Sequence, residues 1–185
     1  HLTSYPGAVE KYYQNWIVDM HDETGDWVSM IEISYRTNAE PWSGLTDRAV
    51  KWGKDGGLVV VATDYCNPWG SCYADSFPEG ASFKDLINPS KPVYKTWMEY
   101  LEKTADELQT LEDNNVVVIV NIFREMNQVY GWWSGEMCHT EWAKKQDFID
   151  VWQHFHTYFT ETRGLNNLLF MYHVVHYPCG PCWHK

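Results

Sequence analysis

Helical and strand-like patterns alternate along the chain. Residues 8–21 carry Val9, Tyr12, Tyr13, Trp16 and Ile17 at helical spacing, after an irregular amino end at 1–7. Residues 27–35 read as a strand that alternates less cleanly after Ile33. A helix over 45–54 stops at Gly56-Gly57, and 58–63 (LVVVAT) is a short, wholly apolar strand. Residues 93–111 place Val93, Trp97, Tyr100, Leu101, Ala105, Leu108 and Leu111 on one helical face. The unbroken apolar run at 116–120 suits a strand covered on both faces. A helix over 141–162, with Trp142, Phe148, Val151, Trp152, Phe155, Tyr158 and Phe159 inward, ends at Arg163-Gly164, and 165–175 is the next strand. Helix followed by strand, four times over, predicts an α/β fold with a parallel sheet flanked by helices. At 185 residues the chain has the length of one domain, 1–185.

The run at 116–120 ends by delivering Arg124, Glu125 and Asn127, followed by Tyr130, Trp132 and Trp133. A carboxylate moves protons, an amide fixes a hydroxyl, and flat rings cover the apolar faces of pyranose units. The same residues also fit a polar strand end above a tryptophan-rich core.

Glu125-Met126-Asn127 with Trp132-Trp133 resembles the acid/base segment of glycoside hydrolase family 26, the β-mannanase family, whose usual form is F-R-P-x-H-E-M-N-G-x-W-F-W-W-G. The family's histidine before the glutamate is Arg124 here, its arginine is Asn121, and the glycine after the asparagine is Gln128. GGLVVVATDYCNPW resembles the third strand and following loop, commonly G-G-x-V-T-x-S-W-H-x-x-N-P. Asn67 and Pro68 match, while Asp64 stands where the family keeps a substrate-binding histidine. YFTETRGLNNLLFMY is similar to the run into the fifth strand. The resemblance implies a partial (β/α)8 TIM-barrel-like sheet, about strands 2–5, because a full barrel takes about 250 residues. Strand one and strands six to eight are then unaccounted for.

Residue chemistry, loop position and resemblance together give each residue an expected role. Glu125 is the acid/base if the chain is active. Asp64, Asn67, Trp69, Asn127, Tyr130, Trp132 and Trp133 are the candidate substrate contacts, with the tryptophans in an open cleft. Asp64 equally suits a cap on the turn that follows it. Retaining hydrolysis needs two carboxyl groups about 5–5.5 Å apart. The family's second one ends its seventh strand, and the acidic residues after Glu125 fall in loops or helices here. Asp64 is a substitute by adjacency alone. The expectation is therefore a non-catalytic glycoside-hydrolase-like protein that binds polysaccharide or oligosaccharide, or builds a secreted extracellular assembly. The alternative is an active retaining endo-β-mannanase-type hydrolase that takes its nucleophile from another chain.

Composition narrows the partners. A net charge of -11 argues against nucleic acid and anionic membranes, and no apolar run approaches the roughly 20 residues of a membrane span. Eleven Trp and twelve Tyr suit a carbohydrate binder or an assembling protein. Five cysteines suggest secretion, with disulfides among Cys66, Cys72, Cys138, Cys179 and Cys182 and one thiol left over; no signal peptide is visible, so a secreted chain would be in its mature form. Cys66 and Cys72 bracket the start of a turn-rich loop at 67–92. Cys179-Gly-Pro-Cys182 has redox-dipeptide spacing, but three following residues cannot form the helix that would activate it. Zinc held by the tail's histidines and cysteines is a weaker reading than disulfides. No cofactor or metal is implied. Open sheet edges at 27–35 and 165–175 predict self-association.

Overall fold

The computed structural model describes residues 2–3, 8–37, 41–72, 78–126, 131–133 and 142–174. β1 (Leu2–Thr3) leads to α1 (Ala8–Tyr13), which runs through a π-helical turn at Gln14–Val18 into α2 (Asp19–Thr24). β2 (Met30–Arg36), α3 (Ser43–Lys54), β3 (Leu58–Asp64), α4 (Pro92–Asp113) and β4 (Val118–Ile122) follow. α5 (Trp142–Thr157) continues as a π-helical turn, Tyr158–Thr162, before β5 (Leu168–Met171).

All strands are parallel, in the order β1-β2-β3-β4-β5. The parallel α/β architecture is as the pattern predicts and the partial barrel as the resemblance implies, with corrections to the strands. Among the described residues the sheet has five strands, because Leu2 and Thr3 pair with Ile33 and Ser34. That short strand covers part of the outer edge of β2 which the sequence leaves open. The strand expected over 165–175 spans only Leu168–Met171, and the one expected at 116–120 lies at Val118–Ile122.

Period-two alternation sorts the sheet into two faces. Ile31, Ile33, Tyr35, Val59, Val61, Val118, Val120 and Ile122 join the buried core with Leu45, Ala49, Trp97, Leu101 and Leu108 of the helices. The Tyr35 hydroxyl, 2.9 Å from Thr46 Oγ1, and the Tyr65 hydroxyl, 2.7 Å from Thr104 Oγ1, each have a partner inside this layer. Burial pushes both phenols well above their ordinary pKa, so they stay neutral. The opposite face carries Glu32, Ser34 and Arg36 from β2 and Val60, Ala62 and Asp64 from β3. Ile119 and Asn121 follow from β4 and Leu169 and Met171 from β5, aligned row by row. This second face is the one a barrel turns inward, and it becomes polar toward the carboxyl ends of the strands.

The described residues 78–91 of the long loop after β3 carry local structure that their turn-rich composition hides. Ser82 and Asp85 form a capping box that starts a 3-10 turn at Phe83–Ile87. The turn places Phe83 flat against Phe148 of α5, with ring centroids 5.5 Å apart.

Candidate functional site at the carboxyl ends of the strands

β4 ends at Ile122, and residues 123–126 turn sharply beyond it. Phe123 and Glu125 both have φ of 53°, in the left-handed region. Each such residue costs roughly 1–2 kcal/mol of backbone strain. Burial of Phe123 holds the turn against this strain, since its ring stacks on Trp97 and meets Phe83, Trp132 and Phe148. Pairs of this kind contribute about 0.5–1.5 kcal/mol each beyond their buried area.

The same turn puts Glu125 at the surface while both neighbours are anchored. The Arg124 carbonyl accepts from Trp133 Nε1–H at 2.9 Å. The Met126 side chain is buried, and its N–H donates to the His173 carbonyl at 3.4 Å. Arg124 reaches back over the inward face: its guanidinium lies 3.1 Å from Glu32 Oε1 and 2.9 and 3.1 Å from the two oxygens of Asp64. Asp64 also accepts from Ser34 Oγ at 2.6 Å and sits 3.4 Å from Arg36 Nε. Its side chain is only 10% exposed. It is therefore neither a turn cap nor a free carboxylate. It is the hub of an ion-pair network that joins β2, β3 and the Glu125 turn.

The remaining predicted site residues divide by placement. Asn67 is buried, and its Oδ1 accepts the Trp69 N–H at 3.0 Å, which shapes the turn that carries Trp69. Trp69 is half-buried, edge-on to Trp132 at 5.9 Å. Trp132 is 3% exposed and donates its indole N–H to the Tyr65 carbonyl at 2.9 Å. Its ring is thus a wall beneath the site and not part of the open cleft expected for it. Trp133 is half-buried at the surface beside the Glu125 turn. A disulfide joins Cys66 to Cys72, as the spacing suggests. Asn127, Tyr130, Cys138, Cys179 and Cys182 lie outside the described residues, as does the histidine- and cysteine-rich tail. Among the described residues, no group of three or more His, Cys, Asp or Glu side chains is placed to hold a metal ion.

The sequence reading missed Glu32, Ser34, Arg36 and the Asn121–His173 pair, whose side-chain nitrogens are 3.3 Å apart. A signal for the first three was present: they are the alternate, polar positions of an otherwise apolar strand.

Comparisons with known proteins agree with the fold. The family model described as glycosyl hydrolase family 26 matches residues 15–178. The mannan endo-1,4-beta-mannosidase A and B of Caldalkalibacillus mannanilyticus is 30% identical over 171 residues, 90% of this chain and 30% of that protein. A mannan endo-1,4-beta-mannosidase of Bacillus subtilis is 29% identical over 136 residues, 66% of this chain and 35% of its own length. Among solved structures, the Bacillus subtilis mannanase man26 superposes with a TM-score of 0.77 at 19% identity, covering 91% of this chain and 55% of that one. A beta-mannanase from a symbiotic protist of the termite Reticulitermes speratus, complexed with gluco-manno-oligosaccharide, gives 0.69 at 15% identity, covering 91% and 54%. The chain thus spans about a third of the curated relatives it matches and about half of the solved ones.

Proposed function

Because this chain belongs to glycosyl hydrolase family 26, we propose that it forms the acid/base half of a mannan-binding site. A β-linked manno-oligosaccharide lies across the carboxyl ends of β3 and β4, Glu125 faces a glycosidic oxygen, and Trp69 and Trp133 cover pyranose faces. One observation carries this reading: Glu125 is the exposed residue of a strained turn whose neighbours on both sides are anchored. A carboxyl group held in this way keeps its direction when a ligand arrives.

In this reading the chain binds and does not cleave on its own. A retaining mechanism needs a second carboxylate to attack the anomeric carbon. Glu32 and Asp64 share the inward face, and both are engaged by the Arg124 guanidinium, which blunts them as nucleophiles. The Cys66–Cys72 disulfide supports a secreted protein, since such bonds persist in oxidising compartments. Titrating tryptophan fluorescence with mannohexaose tests the binding. A saturable change is expected, weakened about twofold to tenfold by Trp133→Ala, the equivalent of losing one ring contact. No response at millimolar ligand would remove the proposal.

A second reading, hydrolysis with a nucleophile supplied from outside these 185 residues, is favoured by the two left-handed residues at the end of β4. Strain of this sort gathers at reacting centres, and a loop that only packs has little need of it.

A further inference from the structure

At the opposite end of the sheet, the amino ends of β2 and β3 meet α1 and α3 around a cleft of about 580 Å³. That volume falls within the roughly 300–1,000 Å³ typical of small-molecule sites. Its floor and walls are Tyr13, Trp27 and Trp52, and its lip carries Ser29, Lys51 and Asp55. The site is built by a tight reversal. α2 ends at Gly25, whose φ of 80° is open to glycine, and the Gly25 N–H donates to the His21 carbonyl at 2.7 Å. Thr24 Oγ1 donates to the Met20 carbonyl at 2.8 Å and accepts from the Asp26 N–H at 3.3 Å. The chain therefore turns back on itself and lays the Trp27 indole flat on the His21 imidazole, with centroids 3.9 Å apart and planes 16° from parallel.

This backing makes Trp27 a supported platform that is still 53% exposed. Trp52 stands edge-on to it at 6.3 Å, and Tyr13 stands edge-on to Trp52 at 6.3 Å. The Arg48 guanidinium lies 4.0 Å over the Tyr13 ring and helps fix that tyrosine. Trp52 can seat only because residue 57 is glycine: a Cβ there would lie 2.0 Å from the indole nitrogen. On the lip, Lys51 Nζ and Asp55 Oδ2 are paired at 2.8 Å and both remain largely exposed. They supply a donor and an acceptor side by side in the cleft that the rings also line. A flat, supported ring that shares a cleft with a donor and an acceptor fits the apolar face and vicinal hydroxyls of a sugar. A phosphate or nucleotide would meet Asp55 and the chain's net charge of -11.

We propose that this cleft is a second glycan-binding site, which stacks a pyranose of a neutral β-linked polysaccharide on Trp27. The polysaccharide used to test it, β-mannan, rests on the function proposed above; the site's geometry does not. Six strand steps at about 3.3 Å set the two sites roughly 20 Å apart, on opposite ends of the sheet. Two weak contacts on one insoluble substrate raise retention without new affinity at either.

The test is a titration of the full chain, labelled with 15N at tryptophan, with mannohexaose. Indole N–H signals are assigned by their loss in Trp27→Ala and Trp133→Ala. The Trp27 signal is expected to shift saturably at millimolar ligand, and to do so equally in Trp133→Ala. Adsorption to insoluble mannan should fall about threefold in Trp27→Ala, with Trp27→Phe retaining most of it. An unmoved Trp27 signal while Trp133 shifts overturns the second site and leaves the strand-end site standing. A shift of Trp27 alone supports the second site and overturns the strand-end reading. If neither moves, both are wrong.

Discussion

Arg124 and Asp64, sixty residues apart, make a two-pronged contact at 2.9 and 3.1 Å over the inward face of the sheet. Both stand where the family pattern has histidine, so the two departures from that pattern touch each other. The pair is nearly shielded from water on the Asp64 side, and it ties the Glu125 turn to β3. Asp64→Asn should destabilise the fold by about 2 kcal/mol, because it leaves two guanidinium groups short of a counter-charge. Asp64→Asn combined with Arg124→Met should cost about 1 kcal/mol less than the sum of the single changes. Urea midpoints of the four proteins measure this, and additive effects would show that the contact carries no coupling.

The Cys66–Cys72 disulfide closes a loop with a sequence separation of 6 just after β3. Restricting so short a loop in the unfolded chain contributes about 2 kcal/mol. Cys66→Ala/Cys72→Ala should lower the urea midpoint accordingly. An unchanged midpoint would show that the buried turn at Asn67 holds the loop without it.

Two groups should shape the pH dependence of stability, with opposite signs. Burial depresses the His154 imidazole below its ordinary 6.5. The folded state then binds fewer protons than the unfolded one, so the stability is present above 6.5 and is lost as pH falls through the folded value. Burial raises the Glu107 carboxyl above 4.5, against the lowering effect of its bond from Thr46. Its contribution is present below 4.5 and is lost as pH rises through the folded value. His154→Gln should therefore flatten the fall in stability below 6.5, and Glu107→Gln should be more stable than the parent at neutral pH. Thermal melts across pH check both, and parallel curves for parent and variants would contradict them.

The outer edge of β5 has no neighbour among the described strands, and Leu169 (58% exposed), Tyr172 and Val174 crowd the surface around it. Unpaired strand groups beside apolar side chains favour pairing with another chain. Light scattering should give a mass above 21.7 kDa that falls toward that value with concentration, and Leu169→Lys should shift it to monomer. A monomer at every concentration would contradict this.

The alternating periods revealed the order of helices and strands because each long element buries one continuous face. Leu2–Thr3 was invisible, since two residues carry no period and the strand exists only through its pairing with Ile33 and Ser34. The 3-10 turn at Phe83–Ile87 was hidden in a stretch of turn-forming residues and shows itself through the Phe83–Phe148 stack. Glu125 and the tryptophan pair were legible from their local motif. The opposite fates of Trp132 and Trp133 were not, because neighbouring indoles are told apart only by what packs on them: Tyr65 and Phe83 on the first, the Arg124 carbonyl on the second. The ion-pair network was legible only in part. Polar alternation in β2 places Glu32, Ser34 and Arg36 on one face, but nothing local announces that Arg124 arrives there from the far side of β4.

Calorimetric titration of the 185-residue chain with mannohexaose tests most directly whether Glu125 sits in a glycan site with no second free carboxylate among the described residues. A saturable heat of binding with no sustained heat of hydrolysis is expected, and the same isotherm within about twofold for Glu125→Gln. A continuing heat flow that Glu125→Gln abolishes would contradict it, and would show that a nucleophile within this chain completes the site.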